Sequence, residues 1–158
     1  MKVKIISGGQ TGADLGGLIA GYKLGYETGG WAPKGFKTEN GSNPLLKKFG
    51  LVEISSDRYE DRTFQNIIIS RCTIIFNDEN SAGSNLTEKL CKEWGKPYYK
   101  TSTRTVNIQD LRKWLLKMIK ERPDAELLTI NIAGNRESKA PGIQKRVEEI
   151  LTKLFSNK

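Results

Sequence analysis

The chain has 158 residues, 37% hydrophobic and 28% charged, with 26 Lys and Arg against 18 Asp and Glu for a formal net charge of +8. That length and balance fit one folded domain spanning residues 1–158 and exclude a disordered chain. No apolar run approaches the roughly 20 residues of a membrane span, and Met1-Lys2-Val3-Lys4 leads into a strand rather than a signal peptide, so a cytoplasmic location is expected.

Apolar runs alternate with helical patterns, and the strand runs are mostly continuous, as in strands covered on both faces. The pattern predicts an α/β sandwich. "VKIISGG" reads as the first strand and Thr11 to Lys23 as the first helix, with Leu15, Leu18, Ile19 and Tyr22 on one side and Gly25 closing it. "YETGGWAP" is a second, short strand. Residues 34–50, "KGFKTENGSNPLLKKFG", form a loop of a length usually tied to function. "LVEIS" is the third strand, and "DRTFQNIIISR" a helix placing Phe64, Ile67 and Ile68 inward. "CTIIFND" is the fourth strand and the most buried. The helix "SAGSNLTEKLCKEWG" follows, with Asn85 as N-cap and Glu88 at capping-box spacing. "KPYYK" is the fifth strand. "NIQDLRKWLLKMIKERP" is a helix with Ile108, Leu111, Leu115 and Met118 inward, ended by Pro123; "LLTINIAG" is the sixth strand and "GIQKRVEEILTKLF" the last helix.

Several chemistries are excluded. Histidine is absent, which removes Ser-His, Cys-His and His-metal sites. Cys72 and Cys91 sit in apolar segments without CxxC spacing and read as small buried hydrophobes, so no protein-ligated metal is expected. The positive charge points to an anionic partner. The densest basic run, "LRKWLLKMIKER", alternates with a core stripe, which argues against nucleic acid and for a small anion.

In an open parallel sheet ligands bind beyond the carboxyl ends of the strands. Six glycines lie within residues 5–21, although one in a helix interior costs about 1 kcal/mol relative to alanine. Gly8 and Gly9 permit a tight turn, and the amides of Gln10, Thr11 and Gly12 would open a helix whose positive end holds a phosphate. Gly16, Gly17 and Gly21 would let that helix lie close to the sheet or to a bound ring. The spacing is neither GxGxxG nor a P-loop, since Gly12-Ala13-Asp14 stands where Gly-Lys-Ser/Thr would be required. A second turn, Ser81 to Asn85, follows the fourth strand and carries Gly83 and Ser84. A third, "NIAGNRESKAPGI", brings Asn131, Gly134, Arg136, Ser138 and Lys139 beside the start of a helix. Trp31 offers an aromatic face and Lys34 a mobile cation; Asp14, Asp57, Asp61, Arg62 and Glu88 are further charged candidates.

"SGGQTGAD", "GGWAPKG", "DRYEDRTFQN", "AGSNLT" and "NIAGNRESKAPGI" together resemble the family of proposed molybdenum cofactor carriers, circularly permuted members of the SLOG superfamily related to cytokinin-activating phosphoribohydrolases. The likeness spans residues 3–152. It implies a Rossmann-like three-layer sandwich with a mostly parallel sheet of about six strands. It also implies a cytosolic homo-oligomer, dimer or tetramer, that carries molybdenum cofactor or another phosphate-bearing pterin or nucleotide. On this chain Gly8, Gly9, Gln10, Thr11 and Gly12 would form the first anion turn, Lys34 would approach the ligand, Ser84 and Thr87 would line the second turn, and Gly134, Arg136, Ser138 and Lys139 would complete the pocket. Leu15 stands where the family usually has a basic residue, and Ala32 where it commonly has cysteine. Two other functions stay open: a nucleotide N-glycosidase using Glu88 or Asp14, and a sensor or sponge of a signalling nucleotide.

Overall fold

Strands β1 (Lys2–Ile6), β2 (Glu27–Ala32), β5 (Leu51–Glu53), β6 (Cys72–Phe76), β7 (Tyr98–Thr101) and β8 (Leu127–Gly134) form one parallel sheet in the order β5-β2-β1-β8-β6-β7. A minimal antiparallel hairpin, β3 (Lys37–Thr38) and β4 (Gly41–Ser42), stands apart from it. The computed structural model describes residues 2–156; Met1 and the last two residues of the expected 1–158 unit lie outside the described residues.

Helices α1 (Ala13–Lys23), α4 (Ile108–Lys120) and α5 (Ile143–Leu154) cover one face, and α2 (Tyr59–Ile69) and α3 (Ala82–Glu93) the other. The first face is dry: Ile5, Ile74, Phe76, Ile130 and Ile132 meet Leu111, Leu115, Val147 and Leu151 in one buried cluster. β6 lies inside the sheet between β8 and the edge strand β7, and all five of its residues are buried. This is the expected Rossmann-like sandwich. β8, the last strand in the sequence, inserts between β1 and β6, and α5 then packs along α1.

The first helix departs from its predicted boundaries and face. It starts at Ala13, because Gly12 at φ 79° and ψ −128° is not helical. Its buried side is only partly the predicted stripe: Leu18 is buried and Leu15 and Ile19 are half-buried, but Tyr22 is 67% exposed, and Gly16, Gly17 and Gly21 are buried as well. A Cβ at Gly17 would lie 2.7 Å from Ile132 Cβ, at Gly21 3.0 Å from Ile5 Cβ, and at Gly16 2.6 Å from the carbonyl oxygen of Gln144. The missing side chains thus let α1 lie against both the sheet and α5, and the bound-ring alternative has no support at these three positions.

Three other local expectations change. Ser81, not Asn85, caps α3: its side chain accepts the N–H of Ser84, and Asn85 is exposed. Glu88 instead accepts the Tyr98 hydroxyl and pairs with Lys100 at 3.0 Å. Ile68 is outward, 36% exposed, because α2 turns Arg62, Asn66 and Ile67 inward. The 34–50 segment is folded: 3-10 turns at Lys34–Phe36 and Pro44–Phe49 bury Phe36 and Leu46 against Leu18, Ala32 and Leu51, with the hairpin held between them.

Candidate functional site

On the α2/α3 face, α2 packs mainly on β2 and α3 on β6 and β8, with a cleft bordered by β8 between the two helices. The alternation of β8 decides what that cleft contains. Leu128, Ile130 and Ile132 belong to the dry cluster, while Asn131 and Ala133, the alternate residues, line this cleft of about 840 Å³. Its walls are Thr63 and Asn66 of α2 and Leu86 and Thr87 of α3, and its upper end meets Gly8, Gln10, Arg136 and Lys139. β1 and β8 send their chains to one face and β6 sends its chain to the other, so the cleft lies at the switch point where open sheets bind ligands.

Two titratable groups are built into the wall. Asp14 and Arg62 are 7% exposed each, with Oδ2 and Nη1 3.4 Å apart. Burial pushes the Asp14 carboxyl up to about 6, against the pull of Arg62 and of the Gln10 and Gly8 amides. Burial likewise lowers the Arg62 guanidinium, while Asp14 and Tyr59 work the other way. The guanidinium lies 5.2 Å from the centre of the Tyr59 ring. The missing side chain of Gly8 makes room for this guanidinium, since a Cβ there would fall 2.0 Å from Arg62 Nη1 and displace it.

Of the residues singled out in the sequence, Gly8, Gln10, Gly83, Thr87, Gly134, Arg136 and Lys139 line this cleft, as do Asp14, Asp57, Arg62 and Asn131. The others lie elsewhere. Gly9 sits under Leu46 and Leu51, and Gly12 against the backbone of residues 135–137. Trp31 is half-buried, with both backbone groups bonded to the Asn66 side chain. Lys34 is exposed, its amide donating to Ser56 O. Ser84 is buried with its hydroxyl unpartnered, Asn85 donates to Asn80, and Asp61 accepts from the Ser56 hydroxyl. Thr11 and Ser138 meet above the cleft at a carboxylate described next.

Two of the three amides of the first turn, those of Gln10 and Thr11, are taken by the chain's own acceptors, as is Ala13 N–H, while Gly12 N–H has no acceptor among the described residues. Gln10 N–H donates to Asp14 Oδ2 at 3.1 Å, Thr11 N–H to Gln10 Oε1 at 3.0 Å and Ala13 N–H to Asn135 O at 3.0 Å. The start of α5 is filled in the same way by Glu137, which accepts from Gly142 and Gln144. At α3 the amides of Ala82 and Gly83 have no acceptor among the described residues, and both residues border the cleft. With Lys139, Arg136 and Lys37 on the same rim, this end of the cleft suits an anion.

Sequence reasoning missed Glu39. It reaches from the hairpin and accepts from the Thr11 hydroxyl, from the Ser138 hydroxyl and from Ser138 N–H at 3.2 Å, and pairs with Arg136 Nε at 3.3 Å. Partial burial raises its carboxyl, but the bonds from Ser138 and Thr11 and the charge of Arg136 hold it below its ordinary value. The available signal was composition: Glu39 is the one carboxylate in residues 34–50, a segment with four lysines.

Among the described residues no helix is long and apolar enough to cross a membrane, and no three His, Cys, Asp or Glu groups are placed to hold a metal ion. A sequence model of the circularly permutated YpsA SLOG family matches residues 5–155. The fold matches the crystal structure of a protein from Syntrophus aciditrophicus SB named, provisionally, as a molybdenum carrier protein. The TM-score is 0.85 and the identity 31%, over 98% of this chain and 96% of that one. No curated protein matches the sequence.

Proposed function

The chain belongs to the circularly permutated YpsA SLOG family, and from that premise we propose that it binds and carries a phosphate-bearing pterin or nucleotide, of which molybdenum cofactor is one example. The observation that carries this reading is the cleft at the switch point, with cations and the unpartnered amides of Ala82 and Gly83 at its rim. A phosphate would rest against those amides and Lys139, and the ring system would lie over Asn131 and Ala133 between Thr63 and Leu86. The floor offers the Asn131 side chain as a polar partner for a ring nitrogen and the Ala133 methyl as an apolar surface. The provisional name of the Syntrophus protein supports the choice of ligand class.

The test is direct: release of small molecules from purified protein for mass spectrometry, and calorimetry with molybdenum cofactor and nucleoside monophosphates. Binding at micromolar concentration or tighter is expected; no bound molecule and no measurable heat would refute the proposal.

One observation favours a second reading, cleavage of a nucleotide N-glycosidic bond. Asp14, with its carboxyl near 6, lines the cleft and suits proton transfer near neutral pH. Glu88 does not serve this reading, since Lys100 and Tyr98 occupy it away from the cleft. Incubation with nucleoside monophosphates and chromatography for the free base distinguishes carriage from cleavage.

A further inference from the structure

The Glu39 contact has the chemistry of a bound ligand. One carboxylate collects two hydroxyl donors, one amide and one guanidinium, and these come from the turn after β1 and the turn after β8. Thr11 is also held in place from behind, its hydroxyl accepting Glu137 N–H at 3.1 Å. The seat adjoins the cleft: Arg136 and Gln10 line the cleft and also bind Glu39, Gln10 by accepting the Glu39 N–H at 2.9 Å.

The carboxylate rides on an arm whose one buried residue is Thr38 and whose other side chains make few bonds beyond the loop. Its feet are fixed by Phe36 and Leu46, which are buried against Leu18 and Leu51. Between them, the Thr38 and Ser42 side chains bond only within the loop, to Gly41 and Gly35. Beyond Glu39, the hairpin's tie to the cleft wall is Lys37, 5.9 Å from the centre of the Tyr59 ring. Asn40, Gly41 and Ser42 are exposed.

We propose that Glu39 is a resident stand-in for the ligand's oxyanion: a terminal phosphate entering the cleft takes the donors of Thr11, Ser138 and Arg136, and the hairpin swings clear of the rim. This rests on the phosphate-binding reading above. A phosphate offers more acceptor oxygens and more charge than a carboxylate, and so competes for the same four donors. The protein then exists in a latched and an open form, and its apparent affinity is reduced by the fraction that is latched.

The experiment uses inorganic pyrophosphate as the probe and the full chain as wild type, E39Q and E39A. Amide hydrogen exchange of the wild type is followed across residues 37–43 with and without pyrophosphate, and affinity is measured by calorimetry for all three proteins. The expected result is faster exchange at Glu39, whose amide donates to Gln10 outside the loop, in the wild type when pyrophosphate is bound, and binding roughly tenfold or more tighter in both variants. Binding with unchanged hairpin exchange, or variants that bind no tighter than wild type, overturns the latch and leaves the phosphate-binding reading intact. Failure of all three proteins to bind overturns both. The wild-type exchange measurement decides the matter even if a variant does not fold.

Discussion

Replacing Gly16 by alanine tests whether α1 depends on the absence of a side chain. A Cβ there would sit 2.6 Å from Gln144 O and 3.1 Å from Val147 Cβ, while ordinary contact begins at 3.4 Å. Relief requires α1 and α5 to part by about 0.8 Å, and the obstacle is a backbone carbonyl that cannot rotate away. Overpacking of this kind costs roughly 2 kcal/mol, against which the better helix propensity of alanine returns about 1 kcal/mol. The net loss of about 1 kcal/mol lowers Tm by roughly 2–4 °C for a chain of this length. Gly83→Ala is the control, since nothing lies within 4 Å of its Cβ position; its Tm should stay level or rise by a few degrees. Differential scanning calorimetry of both variants reads the difference. A Gly16→Ala protein melting at or above wild type would refute the claim that these glycines set the closeness of α1 to α5.

Three further outcomes are expected. The buried Asp14 carboxyl keeps its proton to higher pH than in the unfolded chain, where it titrates near 3.8. The stability it carries is therefore complete below about pH 4 and lost as pH rises through about 6, by up to about 3 kcal/mol; urea midpoints of wild type against Asp14→Asn over that window should show the wild type losing ground. Lys139→Ala should weaken pyrophosphate binding by roughly three- to tenfold and reduce its salt dependence, measured by calorimetry at two ionic strengths. Cys72 and Cys91 are both buried, and desolvation pushes the Cys72 thiol up to about 12 and raises that of Cys91. Neither should react with an aromatic disulfide reagent in the native protein, and both should react in denaturant.

The layering was readable because continuous apolar runs alternate with helical spacing: "LLTINIAG" coincides with β8, and "CTIIF" is the most enclosed strand. The side of α1 that is buried was not readable from apolar spacing. A helical wheel scores side chains, and besides Leu18 and two alanines the contact surface of α1 includes three glycines, where side chains are missing. The cleft floor was partly present in the alternation of Leu128, Ile130 and Ile132 with Asn131 and Ala133, which continuous hydrophobicity obscures. Glu39 was beyond reach for a different reason. Its partners lie 28 and 99 positions away, at Thr11 and Ser138, and no local pattern encodes a carboxylate that bridges them. At the first turn the acceptors of the Gln10 and Thr11 amides are local, the side chains of Asp14 and Gln10, and residue order alone does not show that those side chains fold back onto the turn.

The division of the sheet into a dry face and a polar one separates two kinds of substitution. Packing beneath α4 and α5 depends on Leu128, Ile130 and Ile132, whereas the opposite surface of the same strand presents Asn131 and Ala133 to the cleft. Exchanging the latter pair leaves the opposite layer in place, so the lining of the cleft can drift on one side of a single strand while the scaffold persists.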